Sequence, residues 1–200
     1  MNNQSQNTNI NTNPLYPIFL KLHQLNMLIV GAGYVGYEKL HFILKSSPNA
    51  QITVVAPDVA DNVWALIKKY PQIKVIQRTF QPQDVEGKDL VIAATDLKEL
   101  NKEVRFWAKK YGALVNVADT PDLCDFYLGA IVTRGHLKVA ISTNGQSPTF
   151  AKRFRQVLEE ILPQNVTNLL SNLHVIRQRL KGDFAHKVEQ LNSITASLLD

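Results

Sequence analysis

The chain has 200 residues, of which 45% are hydrophobic and 20% charged, with a formal net charge of +5 and one cysteine, Cys124. That length suits one medium domain with an appendage and exceeds what a disulfide-dependent mini-fold needs. One cysteine excludes an intrachain disulfide and a cysteine-built zinc site, and no apolar run approaches the ~20 residues of a membrane helix.

The start of the chain has no apolar core behind basic residues, so no secretory signal is expected and a reducing, cytoplasmic setting is predicted. The charge is uneven. Residues 1–133 carry 13 Lys and Arg against 12 Asp and Glu, and residues 134–200 carry 9 against 5. The excess in the last third favours an acidic partner. It is too small, without a recognition motif, to argue for nucleic acid.

In chain order, residues 1–13 are almost all polar amides and hydroxyls and predict a disordered tail. "PIFLKL" predicts a short strand leading in. "NMLIV" predicts a buried strand, and Tyr34 to Lys45 a helix with Val35, Leu40, Phe42, Ile43 and Leu44 turned inward. "QITVVA" predicts the second strand. Pro57-Asp58 then opens a helix to about Tyr70, with Val59, Val63, Trp64 and Ile67 inward. "IKVIQR" and "DLVIAAT" predict the third and fourth strands. Thr95 or Asp96 can cap the helix that Gly112 stops near Lys110. "ALVNVAD" predicts the fifth strand.

Uniformly apolar strands alternating with helices imply an α/β, Rossmann-type parallel sheet covered on both faces. After Asp119 the pattern changes. "DFYLGAIVT" and "LKVAIST" flank "RGH" and predict a hairpin. Three helices follow, Pro148 to Leu162, about 165–181 and about 183–199, with Pro163 and Gly182 at the breaks. The expected organisation is a tail over 1–13, a dinucleotide-binding domain over 14–119, a hairpin segment over 120–146 and a helical region over 147–200.

"LIVGAGYVG" gives Gly31-Ala32-Gly33-Tyr34-Val35-Gly36, a G-x-G-x-x-G turn between a strand and a helix. Its glycines serve a tight turn, the approach of a pyrophosphate and close helix–strand packing, and the helix N-terminus offers N–H groups to phosphate. The alternative is a packing turn without a ligand. The second strand ends "VVAPD". Asp58 lies one or two positions past the place of a ribose-binding acid, so it either holds the ribose or caps the next helix. No Lys or Arg occurs from Ala56 to Leu66 to meet a 2′-phosphate, which favours NAD over NADP.

Ligands of an open parallel sheet bind beyond the carboxyl ends of its strands. Gly31, Thr95 and Asp119 all stand at such ends, and the usual order 3-2-1-4-5 makes those strands neighbours. Asp119 is thus a candidate catalytic carboxylate. The competing reading is an Asx-type turn before Thr120-Pro121. "AISTNGQSPTFAKRFR" groups Ser142, Thr143, Asn144, Gly145 and Ser147 at a helix mouth with Lys152, Arg153 and Arg155 close behind. Ser147 is the expected N-cap and Pro148 the first helical residue. Such a mouth can bind carboxylates, or it can be an ordinary capped helix with a solvated basic face. No histidine pair has metal-ligand spacing, so no metal site is expected, and Cys124 reads as a packing residue.

Taken together, "YPIFLKL", "LIVGAGYVG", "TVVAP", "VIAAT", "VNVADTPDLCDF" and "AISTNGQSPTFAKRFR" resemble the precorrin-2 dehydrogenase family, of the siroheme synthase N-terminal type. The resemblance covers about residues 16–163. It implies oxidation of a tetrapyrrole substrate, precorrin-2, to sirohydrochlorin with NAD⁺, in some members joined to ferrous iron insertion. It also implies a homodimer formed through roughly residues 124–142. The family's catalytic aspartate matches Asp119, and its hydroxyl residue aligns with Thr143, beside Ser142. Gly36 stands where alanine is frequent, and Glu38 where a basic residue is common. A reading from another class is a non-catalytic NAD-sensing module that regulates a partner.

Overall fold

The structure, a computed structural model, describes residues 13–163 and 165–196. The tail expected over residues 1–13 lies outside the described residues except for Asn13. Two compact units divide the chain. One runs through Leu128 and includes Asn144–Gln146; the other comprises Gly129–Thr143 and the chain from Ser147 onward.

The first unit is built on β1 (Asn26–Ala32), β2 (Gln51–Val59), β3 (Lys74–Ile76), β4 (Leu90–Ala93) and β5 (Leu114–Val117), with α1 (Tyr34–Ser46), α2 (Asp61–Lys69) and α3 (Lys98–Lys110) between them. All strand pairs are parallel, in the order β3-β2-β1-β4-β5. Side chains alternate across a strand, and the two faces of β1 show it. Met27 and Ile29 pack with Leu40, Ile43 and Leu44 of α1 and Val63 and Leu66 of α2. Leu28 and Val30 pack with Val104 and Ala108 of α3. Burial on both faces explains why these strands are apolar throughout.

Several expectations shift. The third strand is limited to three residues. "PIFLKL" forms no strand. Phe42 and Trp64, expected inward, are exposed, and Leu66 takes an inward place on α2. The second helix starts at Asp61 rather than at Pro57-Asp58, because β2 continues through Val59.

One edge of the sheet is closed locally. Asp125 N–H donates to the Val115 carbonyl (2.7 Å), Val115 N–H donates to Asp125 Oδ2 (3.0 Å), and Asn116 Nδ2 donates to the Phe126 carbonyl (2.8 Å). The chain thus folds back along β5 and satisfies the outward backbone of an edge strand.

The second unit holds β6 (Ala130–Arg134) and β7 (Leu137–Ile141), an antiparallel pair turned at Gly135-His136, followed by α4 (Pro148–Ile161), α5 (Val166–Arg179) and α6 (Phe184–Thr195). The two strands are shorter than the sequence suggests, because Phe126–Gly129 make no ladder.

Candidate functional site

The turn after β1 separates its three glycines by cause. Gly31 has φ +104°, and a Cβ there would lie 2.5 Å from the Ala94 carbonyl oxygen and 3.1 Å from Thr95 Cγ2. A Cβ on Gly36 would strike the Gly31 carbonyl. In this backbone neither position has room for a Cβ, and an alanine at position 36 would need the turn to shift. Gly33 differs: its backbone is extended (φ −81°, ψ −156°) and a Cβ would meet nothing within 4 Å. The fold does not need a glycine there, and the position is open to a close approach from outside the chain.

Gly33 is the N-cap of α1 and offers no side-chain cap, and the first turn of α1 carries no acid. Its N–H groups and dipole are left for an anion. This set of residues fits the pyrophosphate of a dinucleotide. Ala32 ties the turn to β2 by accepting from Ala60 N–H (3.1 Å). Tyr34 stands 79% exposed at the same mouth, while Val35 packs on the core.

Asp58 does not cap a helix. The N-cap of α2 is Ala60, two residues later. Val30 pairs with Val55, but Ala32 pairs with Val59, so β2 carries two extra residues where β1 ends. Such a bulge re-aims side chains. Asp58 lies in it, exposed, on the strand end beside the glycine turn.

Neither Thr95 nor Asp96 caps α3; its N-cap is Leu97, without a side-chain bond. The Thr95 hydroxyl is held instead by Asn101, whose Oδ1 accepts from it (2.7 Å) and from Thr95 N–H (3.2 Å) while Nδ2 donates to the Thr95 carbonyl (2.9 Å). Asn101 is one of two buried polar residues among the described residues. It fixes the turn that presses on Gly31. Sequence reading passed over it, although an amide on the stripe with Val104 and Ala108 was a visible signal.

Asp119 follows β5 at φ 57°, one of two non-glycine residues with positive φ among the described residues. Its side chain is exposed and makes no hydrogen bond or ion pair with described residues, so the Asx-turn reading is not realised. Val30, Ala93 and Val117 form one row across β1, β4 and β5. Gly31 and Asp119 therefore leave the same edge of the sheet. Two strand spacings, about 10 Å, separate Val30 from Val117 in that row.

The neighbouring acid has a structural task. Asp125 pairs with Lys109 Nζ (2.9 Å) besides bonding Val115. Burial alone would raise its pKa, but the Lys109 ammonium and the Val115 N–H outweigh it and hold the carboxyl below its usual range. Asp84 behaves alike: burial is overridden by a two-pronged bond to Arg78 (2.6 and 2.8 Å) and by Gln81 N–H. Both folded pKa values lie below the unfolded value of ~3.9, so their stabilisation is present above that pH and is lost as pH falls through the folded values. Asp125→Asn is expected to cost on the order of 1 kcal/mol at neutral pH. The gap from wild type should shrink below pH 4, as urea unfolding across pH 3–7 would show.

Cys124 is a packing residue as expected. Its sulfur accepts from Val117 N–H (3.2 Å), and burial pushes the thiol pKa up.

In the second unit Ser147 caps α4 by accepting from Phe150 N–H (3.1 Å), with Pro148 first in the helix. Thr143 Oγ1 accepts from Ser147 N–H (3.1 Å). Lys152 and Arg153 are exposed; Arg153 donates to Gln156, and Arg155 is paired with Glu159. Ser142 is exposed beyond β7. Asn144 (φ 51°) and Gly145 (φ 76°) make a left-handed turn and cluster with the first unit. Among the described residues no group of three or more His, Cys, Asp or Glu is placed to hold a metal ion, and no helix is long and apolar enough to cross a membrane.

A five-stranded parallel sheet in this order, with a glycine turn after β1 and an exposed acid beyond β5, defines a Rossmann-type NAD(P)-binding protein. Residues 18–130 match a family described as "Putative NAD(P)-binding", and residues 134–161 match "Sirohaem biosynthesis protein central". The chain belongs to the precorrin-2 dehydrogenase family, of the siroheme synthase N-terminal type. It is 38% identical over 169 residues to a siroheme synthase of Pseudoalteromonas atlantica, covering 84% of this chain and 36% of the relative. It is 39% identical over 165 residues to that of Methylococcus capsulatus, covering 82% and 34%. The chain thus spans about a third of the length of these relatives. A solved structure titled "SirC, precorrin-2 dehydrogenase" superposes with TM-score 0.71 at 28% identity, over 90% of this chain and 89% of that one.

Proposed function

We propose that this chain oxidises precorrin-2 to sirohydrochlorin with NAD⁺, acting as a homodimer in the cytoplasm. The observation that carries the reading is Asp119: an exposed carboxylate without a partner among the described residues, on a left-handed backbone, at the sheet edge that also bears the glycine turn. Two hydrogens leave the substrate. NAD⁺, when bound, supplies the acceptor for the hydride. The chain's own part is to hold the reactants and take the proton.

Gly31, Ala32, Gly33, Tyr34, Val35 and Gly36 form the pyrophosphate cradle, and Asp58 accepts from the ribose hydroxyls. Thr95, with its hydroxyl held by Asn101, lines the cradle with its backbone and methyl group. Asp119 accepts the proton at a carboxylate oxygen from a C–H or N–H within hydrogen-bond reach, directly or through water. The substrate bears eight carboxylates. Ser142, Thr143, Asn144, Gly145 and Ser147 offer donors to them, and Lys152 and Arg153 offer charge.

The test is to mix the protein with NAD⁺ and freshly made precorrin-2 under anaerobic conditions. Sirohydrochlorin and NADH absorbance should rise together, one for one. Tight NAD⁺ binding without turnover would overturn the proposal in favour of a sensing module.

A further inference from the structure

The order of the sheet reverses between β1 and β4, and the crevice of such a sheet lies at that switch point. The Gly31 turn, leading into α1, forms one wall. The turn at Ala94-Thr95, leading towards α3, forms the other. The two walls touch: a Cβ on Gly31 would meet the Ala94 carbonyl oxygen at 2.5 Å and its carbon at 2.8 Å. That carbonyl and the Thr95 N–H belong to one planar peptide and point in opposite directions. The N–H is held by Asn101 Oδ1 (3.2 Å), which also accepts from the Thr95 hydroxyl (2.7 Å). Asn101 Nδ2 donates to the next carbonyl, that of Thr95 (2.9 Å). Asn101 is 5% exposed and sits on α3, whose Val104 and Ala108 pack on the face of the sheet opposite α1. Burying an amide costs free energy unless its bonds are made, and the side-chain bonds of this one all go to a single turn.

We infer that Asn101 is a positioning residue for the nicotinamide half of the cofactor, acting through the Ala94–Thr95 peptide without touching the ligand. With its N–H tethered, that peptide keeps the Ala94 carbonyl against Gly31. Without the tether the buried N–H must find another partner, and the peptide tilts to reach one. The Thr95 hydroxyl is turned away as well, shared between Asn101 and the Leu97 backbone. That leaves the Cγ2 methyl on the Gly31 side, 3.1 Å from where a Cβ would stand. A dinucleotide lies across the crevice, with its pyrophosphate at the N-terminus of α1 and its adenosine ribose at the end of β2, where Asp58 stands. Its other half falls on the β4 side, beside the wall that Asn101 holds. A displaced wall therefore disturbs that half and spares the adenosine half. This role rests on NAD⁺ binding at the glycine turn.

Titration of the full chain with NAD⁺ and with AMP, which carries only the adenosine half, tests it. Asn101→Leu is similar in shape and loses all three bonds. At a temperature where circular dichroism shows it folded, its NAD⁺ affinity should fall about tenfold or more, and its AMP affinity should stay within about twofold of wild type. Asn101→Asp keeps the two accepted bonds but sets an oxygen against the Thr95 carbonyl. The same split is expected of it, and it serves if the leucine variant does not fold. A purely structural role would lower the melting temperature and shift both ligands or neither. A folded variant with wild-type NAD⁺ affinity would overturn the inference and leave the cofactor site standing. So would equal losses for NAD⁺ and AMP. A wild-type chain that binds no NAD⁺ would overturn both.

Discussion

Asp119→Asn is expected to leave NAD⁺ binding within twofold of wild type and to lower turnover of precorrin-2 by about 10²–10⁴-fold, the range general-base catalysis contributes. Asparagine is the informative choice because it tolerates φ 57°, keeps the shape of the side chain and cannot take a proton. Asp119→Gly adds a second reading. Glycine adopts a left-handed backbone at no steric cost, so thermal stability should hold or rise while turnover is still lost. Stability and activity moving in opposite directions would separate a chemical role from a turn-forming one. Fluorescence titration with NAD⁺ and the rate of sirohydrochlorin formation supply the two measurements. Wild-type turnover in the asparagine variant would remove Asp119 from the mechanism.

Gly33→Asp should likewise split two properties. Aspartate is a favoured N-cap and complements the dipole of α1, so the melting temperature should be unchanged or a few degrees higher. The same carboxylate would stand where the cradle meets a pyrophosphate, and NAD⁺ affinity should fall at least 100-fold. Gly36→Ala is the control with a different signature. Its Cβ would strike the Gly31 carbonyl, so stability and NAD⁺ affinity should fall together. Equal NAD⁺ affinity in wild type and Gly33→Asp would mean that the glycine turn is packing alone.

The sheet was legible because strands buried on both faces are written as unbroken apolar runs, and the glycine spacing marks the β1–α1 turn. The errors have local causes. Pro57-Asp58 looks like a helix start, yet the bulge carries β2 to Val59, and no pattern of polar and apolar residues announces two extra strand residues. Thr95 has the chemistry of a cap, but Asn101, six residues on, takes its hydroxyl, a choice made by tertiary packing. Trp64 and Phe42 fit the apolar stripe of their helices and are exposed, since periodicity predicts a direction and not what lies there. "PIFLKL" has strand composition and no strand, because a ladder needs a partner that composition cannot supply. At Asp119 the sequence left a turn and a chemical role open. Among the described residues no Asx-type bond is made, so the side chain does not form the turn, and the left-handed backbone is the part that the glycine variant tests.

The fold-back at Cys124–Phe126 has a consequence for how copies can gather. With the β5 flank sealed and the β3 flank only three residues long, the large sheet presents no seam along which molecule could stack on molecule. Endless polymerisation through that sheet is blocked at both sides, and crowding the protein should yield finite particles rather than fibres.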